Sequence, residues 1–183
     1  MSNTRQAVIA CPAFPAPVTT LTYDFPHGHA IPEHFHPEDQ LVYACHGVMT
    51  VRTRVGAWVV PAQRAVWIPA RTPHSIVMSG AVSMRTIYFR ARLVRRLPRV
   101  CCVVNVSRVL QELILCACTY HSLNRRSKVQ AHLIAVIVDQ LSAVRTIPLQ
   151  LSTPSDPRAV RVAEALQRDP SEQLSLETIC KQA

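Results

Sequence analysis

His34 and His36 stand two residues apart in Ile31-Pro32-Glu33-His34-Phe35-His36-Pro37. Side chains along an extended strand alternate between its faces, so both imidazoles leave the backbone on the same side. A third imidazole, His74, follows Pro69-Ala70-Arg71-Thr72-Pro73 and leads into Ser75-Ile76-Val77-Met78, which reads as the start of another strand. A sheet can set that strand opposite the first pair and make a pocket of the three. Imidazoles converging on one point suit a divalent transition ion such as zinc, nickel, iron or manganese. They equally suit hydrogen bonding to a small organic ligand in a metal-free cavity.

Neighbouring polar residues are weaker candidates. Pro26-His27-Gly28-His29 is punctuated like a turn, so His27 and His29 read as surface residues, with His29 close enough to be a spare ligand. Glu38 and Asp39 follow Pro37 and read as carboxylates of a surface turn. The seven cysteines have no pairing rhythm and lie mostly in apolar runs, as buried small hydrophobes in a reducing compartment do. Cys101 and Cys102 fall on opposite faces of a strand, and Cys116 and Cys118 on different sides of a helix, so neither couple has zinc-ligand spacing. Cys45 is nearer the histidines in sequence, and a redox role for it requires a lowered thiol pKa that nothing in the sequence supplies.

Short β-type runs must carry the histidines. Leu21-Thr22-Tyr23, Gln40 to Cys45, Val48 to Arg54, Ala57 to Val60, Arg64 to Ile68, His74 to Met78 and Val82 to Phe89 are separated by turn residues such as Gly47 and Gly56. Such spacing predicts a small all-β barrel or sandwich, with Val100 to Val106 as a last strand. At Ser107 the period changes. Ser107 is an N-cap for a helix with Val109, Leu110, Leu113, Ile114 and Ala117 on one face, and Ser127 for a second with Val129, Leu133, Val136, Ile137 and Leu141. Arg145 to Pro157 holds three prolines and reads as a linker, after which Asp156-Pro157 opens a third helix. The prediction is therefore an α+β chain: an arm over 1–18, a barrel over 19–106, a helical hairpin over 107–145, a linker over 146–156 and a further helical unit over 157–183.

Composition sets the limits. The 183 residues carry 20 Lys+Arg against 11 Asp+Glu, a formal charge of +9, and 49% are hydrophobic while only 5% are aromatic. Length and apolar content allow a real core. Arg85, Arg90, Arg92, Arg95, Arg96 and Arg99 crowd one segment without interleaved aromatics after Phe89, which reads as a solvated connector that could draw the chain toward nucleic acid without specifying a sequence. No run of eighteen apolar residues and no charged-then-apolar leader is seen, so no membrane association and a cytoplasmic location are expected.

Gly28, five residues, His34, one residue, His36, three residues, Gln40, six residues, Gly47 resembles the first cupin motif, and Pro69-Ala70-Arg71-Thr72-Pro73-His74 the second. More narrowly, His34 to Leu41, Trp67-Ile68-Pro69 to His74-Ser75, and Ser83-Met84-Arg85-Thr86 with Tyr88-Phe89 resemble the sensor domain of cupin-bearing AraC-family transcription regulators. The resemblance runs from about Thr20 to the C-terminus. Gln40 stands where metal-binding cupins carry Glu, and Arg71 where the second motif carries Gly.

The resemblance implies a cupin-type β-barrel followed by a helical hairpin and the first helices of an AraC-type helix-turn-helix domain. His34, His36, Gln40, His74 and Tyr43 would line an effector pocket. Gln40 could add an amide oxygen to the three imidazoles as a fourth metal ligand, though without the negative charge of Glu it offsets a cation less well. The hairpin, over 107–143, would form a homodimer. Leu174 to Ala183 looks like the opening helix of the first helix-turn-helix, beyond which the sequence has no recognition helix, so specific DNA contact is expected only through a missing C-terminal part. The expected function is that of an effector-sensing and dimerisation region rather than an enzyme; the alternative is a small metal-dependent cupin oxygenase or isomerase.

Overall fold

The structure, a computed structural model, describes residues 9–11, 13–143, 146–147, 156–168, 175 and 177–178. Its elements are β1 (Ile9–Ala10), β2 (Val18–Phe25), β3 (Ala30–Phe35), β4 (Asp39–Thr53), β5 (Gly56–Val60), β6 (Arg64–Ile68), β7 (His74–Phe89), β8 (Cys102–Asn105), α1 (Arg108–Cys118), β9 (Ser122–Leu123), α2 (Lys128–Ala143), β10 (Thr146–Ile147) and α3 (Pro157–Arg168). This is the expected α+β composition, a mostly antiparallel sheet with a few helices. No helix among the described residues is long and apolar enough to cross a membrane.

β4 and β7 form the spine. They pair antiparallel from Asp39 opposite Phe89 to Thr53 opposite His74. The sequence reading divides each at its glycine, but Gly47 and Gly80 lie inside continuous strands of 15 and 16 residues. Both have φ near +80° to +90°, and the register slips around His46, so the strands bend there instead of ending. At Gly47 a Cβ would also run into the Ala81 carbonyl.

The bend gives each spine strand two sets of neighbours. β7 pairs β3 near His74 and β2 from Val82 to Phe89. β4 pairs β6 over Gln40 to Tyr43 and β5 over Met49 to Thr53. The two halves enclose an apolar interior that includes Val42, Ala44, Met49, Val51, Trp58, Val66, Ile68, Ile76, Met78 and Met84. Residues one step out of phase, Leu41, Tyr43, Trp67, Ile87 and Phe89, form a second cluster with Leu110, Ile114 and Ala117 of α1 and Ile134, Ile137 and Leu141 of α2. Cys101 and Cys102 fall in different clusters, as their alternation predicts.

Ser107 Oγ accepts the Leu110 N–H at 3.1 Å, Ser127 Oγ accepts the Gln130 N–H at 3.5 Å, and Asp156 Oδ1 accepts the Arg158 N–H at 2.8 Å, so each helix starts at its expected cap. The buried stripes are narrower than the apolar pattern. Val109, Val129 and Val136 face solvent, 58%, 66% and 42% exposed.

Three connecting segments are more ordered than their local composition suggests. The arm is not loose where it is described: β1 pairs parallel with β3, the Cys11 N–H donates to Phe35 O, and Val18 is buried in β2. The connection between α1 and α2 contains β9, which pairs β2 and buries Leu123. The expected linker begins with β10, which pairs the free edge of β8. In each case a short segment satisfies backbone groups that a sheet edge leaves open, a demand invisible in local composition. The expected linker over 148–155 and most of the helix expected at Leu174 to Ala183 lie outside the described residues; within the latter, Ser175 Oγ accepts the Thr178 N–H at 3.2 Å.

Candidate functional site

The sheet brings the three imidazoles together. His34 on β3 is registered opposite His74 on β7, and their ring centroids lie 4.3 Å apart. His36, just past β3, lies 5.2 Å from His74 and 6.0 Å from His34. One potential ligand atom from each ring lies within 4.8 Å of the others.

Backbone carbonyls orient all three rings. His34 Nδ1 lies 2.8 Å from Pro32 O, His36 Nδ1 2.9 Å from Glu38 O, and His74 Nδ1 2.8 Å from Thr72 O. A carbonyl only accepts, so the Nδ1 atoms of His34 and His74 carry the hydrogen and their Nε2 atoms are left as donors to a metal, while His36 lies between two acceptors, Glu38 O and Gln40 Oε1. Burial pushes His36 below the ordinary histidine range and His74 down to about 3, which holds both rings neutral. His74 is fully buried, and its Nε2 has no hydrogen-bond partner among the described residues.

Gln40 completes the site. Its Nε2 donates to Thr86 Oγ1 at 2.9 Å and to Tyr88 OH at 3.1 Å, which turns Oε1 toward His36 Nε2, 2.9 Å away. Thr86 in turn donates to Leu41 O at 3.2 Å. A neutral His36 cannot donate from both nitrogens, so where Nδ1 donates to Glu38 O a lone pair on Nε2 faces the Gln40 oxygen. A cation between them would accept both, and an unpartnered His74 Nε2 beside them fits the same need. The four side chains are thus a donor set that fits a divalent metal.

His34, His36 and Gln40 line a cavity of about 440 Å³ together with Cys11, Phe14, Leu21, Tyr23, Phe25, Ile31, Pro32, Ile76, Met84 and Tyr88. Phe14 from the arm packs on Tyr88, ring centroids 4.8 Å apart, and Tyr88 stands edge-on to His36 at 4.9 Å. Burial holds the Tyr88 hydroxyl well above its usual pKa, so it keeps its proton.

Several expected roles are not met. Tyr43 does not line the cavity: three residues beyond Gln40 on β4, it points to the opposite face, among Leu41, Trp67 and Phe89 beneath the helices. Cys45 shares that side, and burial raises its thiol pKa, contrary to a redox-active thiol. Glu38 and Asp39 are buried, not surface residues. Glu38 Oε1 accepts the Phe14 N–H at 2.8 Å, and Asp39 accepts the N–H of Ala70 at 2.9 Å and of Arg92 at 3.1 Å, because the chain enters β4 directly after Pro37. His29 stacks on Phe25 at 4.5 Å and His27 Nδ1 accepts the Gly80 N–H at 3.0 Å, so neither joins the triad.

Arg71, at the position where the second motif carries Gly, has φ +63° and donates its N–H to His36 O at 2.8 Å. The turn keeps a glycine-like backbone despite its side chain. The part of Thr86 and Tyr88 in holding Gln40 was missed, although both lie in phase with the inward-facing Val82 and Met84.

Residues 17–137 match the family described as the AraC-like ligand binding domain. Over 141 residues the chain is 30% identical to the HTH-type transcriptional regulator NimR of Escherichia coli (strain K12), covering 77% of this chain and 51% of that protein. The chain therefore spans about half the length of this curated relative. Unsaturated fatty acid-bound wild-type ToxT of Vibrio cholerae has a similar fold, with a TM-score of 0.54 at 10% identity over 90% of this chain and 68% of that one. A β domain built on bent spine strands, with helices over one face and a match extending from β2 into α2, places the chain in the AraC-like ligand-binding domain family.

Proposed function

We propose that this chain is the effector-sensing and dimerisation region of an AraC-family DNA-binding transcription regulator and acts by binding rather than by catalysis. The observation that carries the proposal is the cavity between the bent sheet halves, apolar along its walls and polar at the end where His34, His36, His74 and Gln40 meet. That lining suits a small molecule with an apolar body and a polar head. The solved structure of unsaturated fatty acid-bound ToxT, which has a similar fold, supports this reading.

His34, His36, His74 and Gln40 would hold a divalent metal, zinc, nickel, iron or manganese, through three Nε2 atoms and one Oε1. Bound there, the metal supplies a Lewis-acidic point for an oxygen of the effector. The protein's part is to present neutral imidazoles, to fix Gln40 through Thr86 and Tyr88, and to exclude water with Phe14. The same donor set would serve an oxygenase or isomerase; family membership favours sensing.

Val109, Val129 and Val136 lie exposed on the α1–α2 hairpin and support a homodimer through residues 107–143. An effector that prefers one arrangement of the sheet under these helices would shift the dimer between two states, and residues beyond α3 would pass the change to DNA. Thermal melting tests the reading. Divalent metals and a panel of amphiphilic metabolites are expected to raise the melting temperature of the parent chain, and the metal effect is expected to vanish when His34, His36 and His74 are all changed to Ala. A parent that responds to no compound in either set would refute it, and light scattering that finds only monomer at high concentration would remove the dimer.

A further inference from the structure

The segment after β7 and the connection between α1 and α2, far apart in sequence, wall a second cleft of about 880 Å³. Arg90, Arg92 and Arg95 line one side and Arg125 and Arg126 the other, and all five side chains are exposed. Both walls are fixed by hydrogen bonds. Arg92, in a left-handed conformation at φ +69°, is held by the buried Asp39 carboxylate through its N–H at 3.1 Å, and Arg90 donates to Pro15 O at 3.0 Å. Across the cleft, Asn124 Oδ1 accepts the Arg126 N–H at 2.9 Å.

None of the five guanidinium groups has a carboxylate within ion-pair distance among the described residues; the pairs found there are Arg85–Asp24, Arg99–Asp39 and Arg158–Asp156. Five like charges with no carboxylate in ion-pair distance among the described residues, in a chain of formal charge +9, create a field that concentrates anions. Guanidinium forks match phosphate oxygens in pairs. No aromatic side chain among the described residues lines the cleft, so it offers nothing on which a base could stack.

We propose that this cleft binds the phosphodiester backbone of duplex DNA, independently of sequence, as a contact made by the sensing region itself. The choice of DNA over other phosphate sources rests on the proposed role in a transcription regulator. The contact would anchor the sensing region beside an operator that another part of the protein reads.

The test titrates a short fluorescent duplex of arbitrary sequence with the whole chain over a range of salt. The R95Q/R125Q variant is compared with R54Q/R71Q, which removes the same charge from exposed positions outside both the cleft and the helical hairpin. The cleft variant is expected to reduce the slope of log affinity against log salt by roughly 2, with the control near the parent value. R95K/R125K, which keeps the charge, is expected to recover most of the binding. Melting curves verify that every variant folds, and R126Q alone replaces the double variant should that one not fold. Equal losses in the cleft and control variants would overturn the proposal, since net charge would then explain the binding. It would also fall if polyglutamate bound as tightly as the duplex with the same arginine dependence, or if inorganic phosphate stabilised the parent but not the variant while the duplex did not bind. The assay contains neither metal nor effector, so its failure leaves the effector pocket untouched.

Discussion

Gln40 Oε1 lies 2.9 Å from His36 Nε2, while its amide nitrogen is committed to Thr86 and Tyr88 on the other side. With His36 Nδ1 donating to Glu38 O, two acceptor atoms face each other in a buried site. Replacing Gln40 by Glu adds the negative charge that a divalent ion would balance. The Q40E variant is expected to bind zinc or nickel at least tenfold more tightly, on the order of the changes produced by altering a metal's immediate surroundings. Competition against a coloured chelator measures it, and unchanged or weaker binding would argue against a metal at this position.

Thr86 acts one step further out. T86V removes an acceptor of the Gln40 amide while keeping the side-chain shape, so Gln40 is free to turn. Metal affinity is expected to fall roughly 10–100-fold with little change in secondary structure. Y43F, on the reverse face of the same strand, is expected to leave metal affinity at the parent value because Tyr43 touches only the helix-side cluster. A Y43F variant that lost metal binding as T86V does would place the pocket wrongly.

Acidity should destabilise the metal-free protein. The His74 pKa is lowered in the folded state from 6.5 to about 3 by burial, so the unfolded chain takes up a proton first as pH falls. Stability is at its full value above pH 6.5 and is lost progressively as pH falls from there toward 3. His36, lowered in the same direction, adds to the loss. Each such group contributes a slope approaching about 1.4 kcal/mol per pH unit. Urea melts of chelator-treated protein at pH 7.5 and pH 5 measure the difference, and H74F should flatten it.

Gly47 tests the bend. G47A puts a Cβ against the Ala81 carbonyl at a φ that alanine avoids, and is expected to cost more than about 2 kcal/mol. G28A, where φ is also positive but nothing lies within 4 Å of the new atom, should cost less, about 1 kcal/mol. Denaturant midpoints of the two variants rank them.

The triad was legible because a two-residue spacing fixes a shared face in any strand, whatever the strand pairs with. Tyr43 was not, because its neighbourhood depends on which side the helices cover, and strand phase alone leaves inside and outside interchangeable. Gly47 was read as a strand end; a glycine that allows a bend leaves the same mark in sequence as one that allows a hairpin. Glu38 and Asp39 looked like turn residues because the backbone N–H groups that donate to them, those of Phe14, Ala70 and Arg92, are far away in the chain. Val109, Val129 and Val136 match the helical period but exceed the width of surface the sheet can cover.

On β4, Gln40 looks into the site and Leu41 to the helices; on β7, Thr86 and Tyr88 alternate with Ile87 and Phe89 in the same way. Pocket and helical layer are thus obverse and reverse of one ply of backbone, with no insulating layer between them. A guest that displaced Gln40 or Tyr88 would therefore bear directly on the strands over which α1 packs.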